Sequence, residues 1–319
     1  MNNLLYYLVA TLLVAITSLS VGFGGSLTAS SALKAINIQP QAEADIRRAL
    51  ILGMALIETT ALVGLIMSLY LLIKLVPATI QLSNPYFGWA NLGIACAICL
   101  PGAVAGIVSA WPTSAAALAI ARQPFAANRI IKLMLLTVSF VQTPIIFGLI
   151  MALILAHQTV HCHTLPANLK LLAAGLATGL GSIGPVLGLA RFARAACEAI
   201  GYNREAYSKI LTFTIASVAL IETPVVFALV TAFMILAIPA ATITLIKAVA
   251  LIAAAIAIGI TNFVPSLSSS KTASAACLQI AQHPELSPIL SKTSLMVQGV
   301  IDTFIIYGWV IAIMLIFFS

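Results

Sequence analysis

The chain has 319 residues, of which 62% are hydrophobic and only 7% are charged. Roughly a quarter of the residues in soluble globular domains are charged, so this composition excludes an ordinary soluble enzyme or binding domain. The formal net charge of +7 would suggest nucleic acid binding in a soluble protein, but here the basic residues follow a membrane pattern. We therefore expect an integral membrane protein with lipid around it and no nucleic acid partner.

Eight apolar stretches are long enough for transmembrane helices, which need about 20 residues to cross roughly 30 Å of hydrocarbon. In chain order the predicted spans are 4–36, 46–75, 88–121, 129–156, 168–197, 207–236, 247–281 and 288–318. They form four pairs, and the predicted hairpin units are 1–76, 77–157, 158–238 and 239–319. The fold class is therefore an all-α membrane protein with eight transmembrane helices in four tandem helical hairpins.

Most basic residues lie at or beside the four turns inside the hairpins. Twelve of the fifteen are found there: Lys34, Arg47, Arg48, Arg122, Arg129, Lys132, Arg191, Arg194, Arg204, Lys209, Lys271 and Lys292. Only Lys74, Lys170 and Lys247 lie near the opposite helix ends. The positive-inside rule predicts that the four turns are cytoplasmic and both termini lie on the other side of the membrane. All four hairpins then share one orientation, which makes them parallel repeats.

A polar residue recurs at one place in the second helix of each hairpin. Glu58, Gln142, Glu222 and Asp302 each lie in a long apolar run, and their separations are 84, 80 and 80 residues. Each is followed by a threonine: Thr59, Thr143, Thr223 and Thr303. A period of about eighty residues predicts one helical unit repeated four times.

Three of the eight acidic residues of the chain, Glu58, Glu222 and Asp302, occupy this repeated position. An ionised side chain at the bilayer centre costs about 2.5–3.5 kcal/mol on insertion scales, so an acid there indicates a function. In lipid the acid is expected to keep its proton, and a basic partner or an aqueous path would remove it. This is the chemistry of a proton or sodium carrier. The alternative is that the acids only hold neighbouring helices together.

The threonines also have two interpretations. Their hydroxyls could assist the carboxyl or supply an oxygen to sodium, or each could bond a carbonyl of its own helix. We expect Thr59, Thr223 and Thr303 to neighbour the ion sites. Gln142 takes the same position but cannot ionise.

The first helices of the hairpins are rich in small residues, which let membrane helices approach closely. The third hairpin has two GxxxG pairs, Gly175 with Gly179 and Gly184 with Gly188. In three turns a proline lies 18 residues before the key polar residue, at Pro40, Pro124 and Pro284, and the third turn lacks it.

With these features the chain resembles the rotor-ring c subunit, or proteolipid, of rotary ATP synthases and ATPases, fused as four hairpins. The turn Arg122-Gln123-Pro124 matches the RQP loop of the F-type family, while Gln39-Pro40 and His283-Pro284 match it in part. The resemblance implies that Glu58, Glu222 and Asp302 bind the ion. It also implies that these turns (Gln39, Pro40, Arg122, Gln123, Pro124, His283 and Pro284) contact the central stalk.

The resemblance further implies a ring, an arc of which is formed by this chain. The ring would contain copies of the chain or other c subunits, beside a stator a subunit with an essential arginine, in what we expect to be a bacterial inner membrane. No glutamine or glutamate lies 33 residues before the acids, where sodium-binding relatives often have one; the residues there are Gly25, Ser109, Leu189 and Ser269. Protons are therefore favoured over sodium as the transported ion. We expect no cofactor and no metal.

The chain has no GxxxxGK[ST] phosphate-binding loop, so we expect no ATP hydrolysis by the chain alone, only ion translocation as part of a complex. Three alternatives remain open from sequence. One is a V-type ATPase proteolipid that pumps ions, since fused hairpins with lost acids resemble that family. The others are a self-contained ion transporter or channel, and a structural proteolipid in which the acids are dispensable.

Overall fold

The computed structural model describes residues 2–73 and 86–318. We number the helices in chain order: α1 (Asn2–Ile38), α2 (Glu43–Ile73), α3 (Phe87–Val108), α4 (Ala110–Arg122), α5 (Ala127–Gln158), α6 (Leu165–Tyr202), α7 (Tyr207–Ala237), α8 (Leu245–Gln282) and α9 (Ser287–Phe318). Eight spans within this part of the chain are long and apolar enough to cross a membrane. The four tandem hairpins expected from the sequence are confirmed.

The span predicted at 88–121 is not one uninterrupted α-helix. It divides at Ser109 into α3 and α4. Pro112 lies four residues after Val108 and has no N–H group, so it cannot donate to the Val108 carbonyl as a helical residue would. The division therefore has a local cause, and it lies beside one of the four key positions.

The hairpins pack side by side in chain order. The first helices, α1, α3 with α4, α6 and α8, contact one another in succession and form an inner layer. The second helices, α2, α5, α7 and α9, pack on this layer and form an outer layer. The predicted boundary between units at 76/77, and Lys74, lie outside the described residues.

Glycine permits the close contacts within the inner layer. A Cβ atom on Gly175 of α6 would collide with the backbone of Gly93 in α3, and one on Gly24 would collide with the backbone of Gly106. A Cβ on Gly188 would lie 2.7 Å from the carbonyl oxygen of Ser266 in α8. The small residues predicted to allow close packing therefore lie where neighbouring hairpins meet.

Each hairpin turn is a single 3-10 turn. These turns are Pro40–Ala42, Pro124–Ala126, Arg204–Ala206 and Pro284–Leu286. In the third turn, which lacks the proline, the side chain of Asn203 accepts a hydrogen bond from the N–H of Glu205 and donates one to the carbonyl of Ala281 in the fourth hairpin. An asparagine cap thus replaces the proline in shaping this turn.

Candidate functional site

The four repeated polar residues all lie near the middle of outer-layer helices, but their surroundings differ. Glu58 is exposed, Gln142 is only 4% exposed, and Glu222 and Asp302 are half-buried. The position is therefore the same in each hairpin, while the chemistry available at each differs.

Gln142 is held by hydrogen bonds on both sides of its amide. Its Oε1 accepts from the hydroxyl of Thr60 in the first hairpin at 2.7 Å, and its Nε2 donates to the hydroxyl of Ser109 at 2.9 Å. A neutral amide that is buried and bonded in this way joins two hairpins. It has no proton to release.

Asp302 is bonded within its own hairpin. The hydroxyl of Ser269 in α8 donates to its Oδ1 at 3.1 Å, whereas its Oδ2 is buried and has no hydrogen-bond partner among the described residues. One oxygen is therefore stabilised as an acceptor, and the other is open to carry a proton or to meet a donor from another chain.

Glu222 lies between two hairpins. Its carboxyl contacts the side-chain hydroxyl of Thr143 in the second hairpin. It also borders an apolar groove of about 570 Å³ whose wall includes Phe227 and Trp309. The rings of Phe227 and Trp309 are 5.2 Å apart at their centroids, so aromatic side chains of the third and fourth hairpins form one side of the site.

Glu58 faces a groove of about 560 Å³ between α1 and α2. Gly25 occupies the place that Ser109 and Ser269 occupy in the second and fourth hairpins, so no hydroxyl comes from the inner helix here. A Cβ at Gly25 would lie 3.4 Å from the terminal methyl of Met54. The structure leaves this carboxyl on an open edge of the protein.

The threonines that follow the key residues bond mainly to their own helices. Thr59 donates to Leu56 at 2.6 Å, Thr143 to Ser139 at 3.4 Å, Thr223 to Ala219 at 3.0 Å and Thr303 to Val300 at 2.7 Å, in each case to a backbone carbonyl. Of these four, Thr143 also contacts a carboxyl, which belongs to the next hairpin. Sequence reasoning assigned no role to Thr60, and it considered Ser109 and Ser269 only as positions without a carboxamide. Their 33-residue spacing to Gln142 and Asp302 was the signal that could have identified them.

The turns predicted to contact a stalk all lie at the same ends of the hairpins and are partly exposed: Gln39, Pro40, Arg122, Gln123, Pro124, His283 and Pro284. Neighbouring turns contact each other. Arg48 donates to Asn128 at 3.2 Å, Arg129 to the carbonyl of Arg204 at 3.2 Å, and Lys209 to the carbonyl of Pro284 at 2.9 Å. The guanidinium of Arg122 lies 5.3 Å from the ring centroid of Tyr202. Part of this basic surface therefore holds the hairpins in register.

Comparison with known proteins places a family pattern on each hairpin. The family described as the ATP synthase C subunit matches residues 8–71, 92–155, 172–235 and 252–315. Glu58, Gln142, Glu222 and Asp302 each lie 50 residues after the start of the matched segment. The four key residues are thus equivalent positions of one family pattern.

Individual relatives each match about one hairpin. The ATP synthase c subunit of Dehalococcoides mccartyi is 52% identical over 62 residues, which is 19% of this chain and 82% of that protein. The ATP synthase c subunit of Chloroflexus aurantiacus is 40% identical over 68 residues, 21% of this chain and 90% of that protein. That of Ruminiclostridium cellulolyticum is 41% identical over 63 residues, 20% of this chain and 83% of that protein.

Proposed function

Since this chain belongs to the ATP synthase C subunit family, we propose that it is a rotor subunit that carries protons on Glu58, Glu222 and Asp302. The observation that carries this proposal is the equivalence of the three acids within the family pattern, on outer-layer helices of an integral multi-pass membrane protein. In this function each carboxyl releases and reloads its proton beside a stator a subunit and crosses the lipid in neutral form. Ring rotation then couples proton flow to ATP synthesis.

The energetics require a neutral form in lipid. A charged carboxylate at the bilayer centre costs about 2.5–3.5 kcal/mol on insertion scales, whereas a proton crossing 100 mV provides about 2.3 kcal/mol. An unprotonated carrier would therefore oppose most of the driving force in each transfer. An arginine on the stator would stabilise the ionised form at the single place where the proton must leave.

The hydroxyls near two of the acids support a proton more than sodium. Asp302 has one hydroxyl donor, from Ser269, and Glu222 has one hydroxyl contact, to Thr143. A sodium ion prefers several oxygen ligands around it, and a single hydroxyl beside a carboxyl is a poor cage. Proton transfer needs only the carboxyl and one reachable donor or acceptor.

The second hairpin does not carry an ion in this scheme. Gln142 cannot ionise, and both sides of its amide are already bonded to Thr60 and Ser109. Three carriers per four hairpins give three quarters of the ions per revolution that four carriers would give at the same ring size. The chain would therefore lower the ion-to-ATP ratio of its machine.

The turns at one end of the hairpins provide the surface for the central stalk. Phe125, beside the Arg122-Gln123-Pro124 turn, is 92% exposed, and basic side chains surround it. We place this end in the cytoplasm on the positive-inside rule. A bacterial inner membrane is the location that accords with the bacterial relatives.

The experiment is ATP synthesis by the complete complex reconstituted in vesicles under an imposed proton gradient. Glu222→Gln and Asp302→Asn should each abolish most of the synthesis, because one carrier that cannot ionise stops the ring when it reaches the stator. Glu43→Gln, at a turn, is the matched control and should leave synthesis near the level of the unmodified complex. Full synthesis in a variant lacking all three acids would overturn the proposal.

A further inference from the structure

The hairpins of this chain contact each other through two different edges of the inner layer. The leading edge of a hairpin faces the preceding hairpin, and in the first hairpin it consists of Ser18, Gly22, Ser26 and Ala29. The trailing edge faces the following hairpin, and in the fourth it consists of Ser268, Thr272 and Gln279. Positions in the first and fourth hairpins are equivalent when they differ by 244 residues, the separation of Glu58 and Asp302.

The leading edge is buried in every hairpin except the first. The equivalent residues are buried in the second hairpin (Gly102, Gly106, Ala110, Thr113), in the third (Ser182, Val186, Ala190, Ala193) and in the fourth (Asn262, Ser266, Ser270, Ala273). In the first hairpin Ser18, Gly22 and Ser26 are exposed and Ala29 is half-buried. A Cβ at Gly22 would have no atom within 4 Å. The first hairpin thus presents a packing surface that has no preceding hairpin.

The trailing edge shows the complementary pattern. Its residues are buried in the first hairpin (Gly24, Thr28, Ala35), in the second (Val108, Pro112, Ala119) and in the third (Gly188, Phe192, Ala199). In the fourth hairpin Ser268 and Thr272 are half-buried and Gln279 is exposed. The two open edges of the chain are therefore the two halves of an interface that it already forms internally three times.

The register of that interface is the same where it can be read directly. Gly24 approaches the backbone of Gly106, and Gly188 approaches the backbone of Ser266; both pairs join the same two repeat positions. The corresponding pair across the open edges is Ser268 of one copy with Gly22 of the next. Both are small residues, as this approach requires.

Charges at the turns fit the same pairing. Lys292 of the fourth hairpin is equivalent to Arg48, which reaches Asn128 of the following hairpin. The residue equivalent to Asn128 in the first hairpin is Ala44, which lies between Glu43 and Asp45. A lysine on the trailing side would therefore meet two carboxylates on the leading side.

We propose that a second copy of this chain covers the leading edge, so that copies join head to tail through Ser268 and Gly22 and the Glu58 site is completed by the neighbouring copy. This rests on the proposed function and names the partner of one of its sites. In the internal contact between the second and third hairpins, Thr143 approaches Glu222. The equivalent of Thr143 in the fourth hairpin is Thr303, which is exposed, so Thr303 of the next copy is the hydroxyl that Glu58 lacks within one chain.

The test is disulfide cross-linking in the intact complex. Cys96, Cys99, Cys162, Cys197 and Cys277 are first replaced by alanine, and the cysteine-free complex is required to synthesise ATP. Two differently tagged chains, one with Gly22→Cys and one with Ser268→Cys, are then expressed together and oxidised in the membrane. We expect a covalent dimer of twice 33.3 kDa that contains both tags, because Cβ atoms at a close helix contact lie within disulfide range.

The matched control replaces Ser268→Cys by Gly299→Cys, which lies in open space on α9; this pair should give no dimer. Three results would overturn the proposal while leaving the proposed function intact, provided that the complex still synthesises ATP. These are no dimer, a cross-link within one chain when both cysteines are in one copy, and a small single-hairpin protein cross-linked at Gly22→Cys.

Native mass spectrometry of the unmodified rotor ring gives an independent measurement that needs no variant. A ring mass that is a whole multiple of 33.3 kDa supports closure by copies of this chain alone. A remainder equal to one or more single-hairpin proteins would show that another proteolipid covers the open edge.

Discussion

The hydroxyl of Thr60 donates a hydrogen bond to the side-chain carbonyl of Gln142 across 2.7 Å, joining the first hairpin to the second at the level where the other hairpins carry an acid. Ser109 completes this arrangement from the inner layer. The second hairpin thus uses the family's carrier position for a neutral contact between hairpins.

Replacing Gln142→Glu should convert this contact into a fourth carrier. Thr60 can still donate to one carboxyl oxygen, and the Ser109 hydroxyl can rotate to donate to the other. The ions transported per ATP should rise by about a third, measured as the threshold proton gradient for ATP synthesis at fixed phosphorylation potential. Unchanged stoichiometry, with the variant protein present in the ring, would contradict this expectation.

Replacing Gln142→Met tests the structural part of the same contact. Methionine has a similar length but cannot bond Thr60 or Ser109, and hydrogen bonds between membrane helices contribute about 0.6 kcal/mol on average and up to about 1.7. We expect a decrease in unfolding free energy of about 0.5–2 kcal/mol in detergent, with the ion stoichiometry unaltered. Glu43→Gln, at an exposed turn, serves as the comparison and should change stability by less than about 0.5 kcal/mol.

Ser269→Ala should slow the fourth hairpin's carrier. Asp302 would lose the hydroxyl bonded to its Oδ1, and its Oδ2 is already without a partner in the described structure. The ionised form that must exist beside the stator then has less support, so ATP synthesis should fall several-fold. Ser270→Ala is the matched control, because Ser270 is buried on the same helix and its hydroxyl bonds a carbonyl of its own helix. Equal effects from both variants would show that the loss is one of packing.

Gly175→Val should disrupt the inner layer. Its side chain would collide with the backbone of Gly93, and overpacking in a close-packed core costs about 1–3 kcal/mol. We expect a lower melting temperature of the purified chain and less assembled complex in the membrane. Gly299→Val, at a glycine with open space around it, should have little effect on either measurement.

Lys170→Met should loosen the end of the third hairpin that is remote from its turn. The ammonium of Lys170, which is only 3% exposed, donates to the carbonyls of Leu236 at 3.3 Å and Ile238 at 2.9 Å at the end of α7. Leaving buried carbonyls without a donor costs about 1–3 kcal/mol. Hydrogen exchange should accelerate in the last turn of α7 and stay unchanged near Tyr207; protection retained at both ends would refute this role.

The helices and their pairing could be predicted from sequence because both depend on local properties, namely the length of apolar runs and a repeat of about eighty residues. The observed ends lie within a few residues of the predicted ones, as for 207–236 against Tyr207–Ala237. The repeat also identified the four key residues, since equivalence of position needs no coordinates.

The partners of those residues could not be predicted in the same way. Thr60 and Gln142 are 82 residues apart, and their contact depends on how far one hairpin is shifted along the next. The division of the helix at Ser109 and the openness of the Glu58 site likewise depend on packing between hairpins. Sequence reasoning assigned the neighbouring role to threonines within each helix, whereas Thr143 contacts the carboxyl of the following hairpin.

The central claim, that three acids carry protons, is tested most directly by treating the complete membrane complex with a carboxyl-reactive carbodiimide and locating the adducts by mass spectrometry. Carbodiimides modify protonated carboxyls in apolar surroundings, so we predict adducts at Glu58, Glu222 and Asp302, loss of ATP synthesis as they form, and no protection by sodium at constant pH. Protection by sodium would identify sodium as the ion. Loss of synthesis with none of the three modified, or full synthesis with all three modified, would contradict the account.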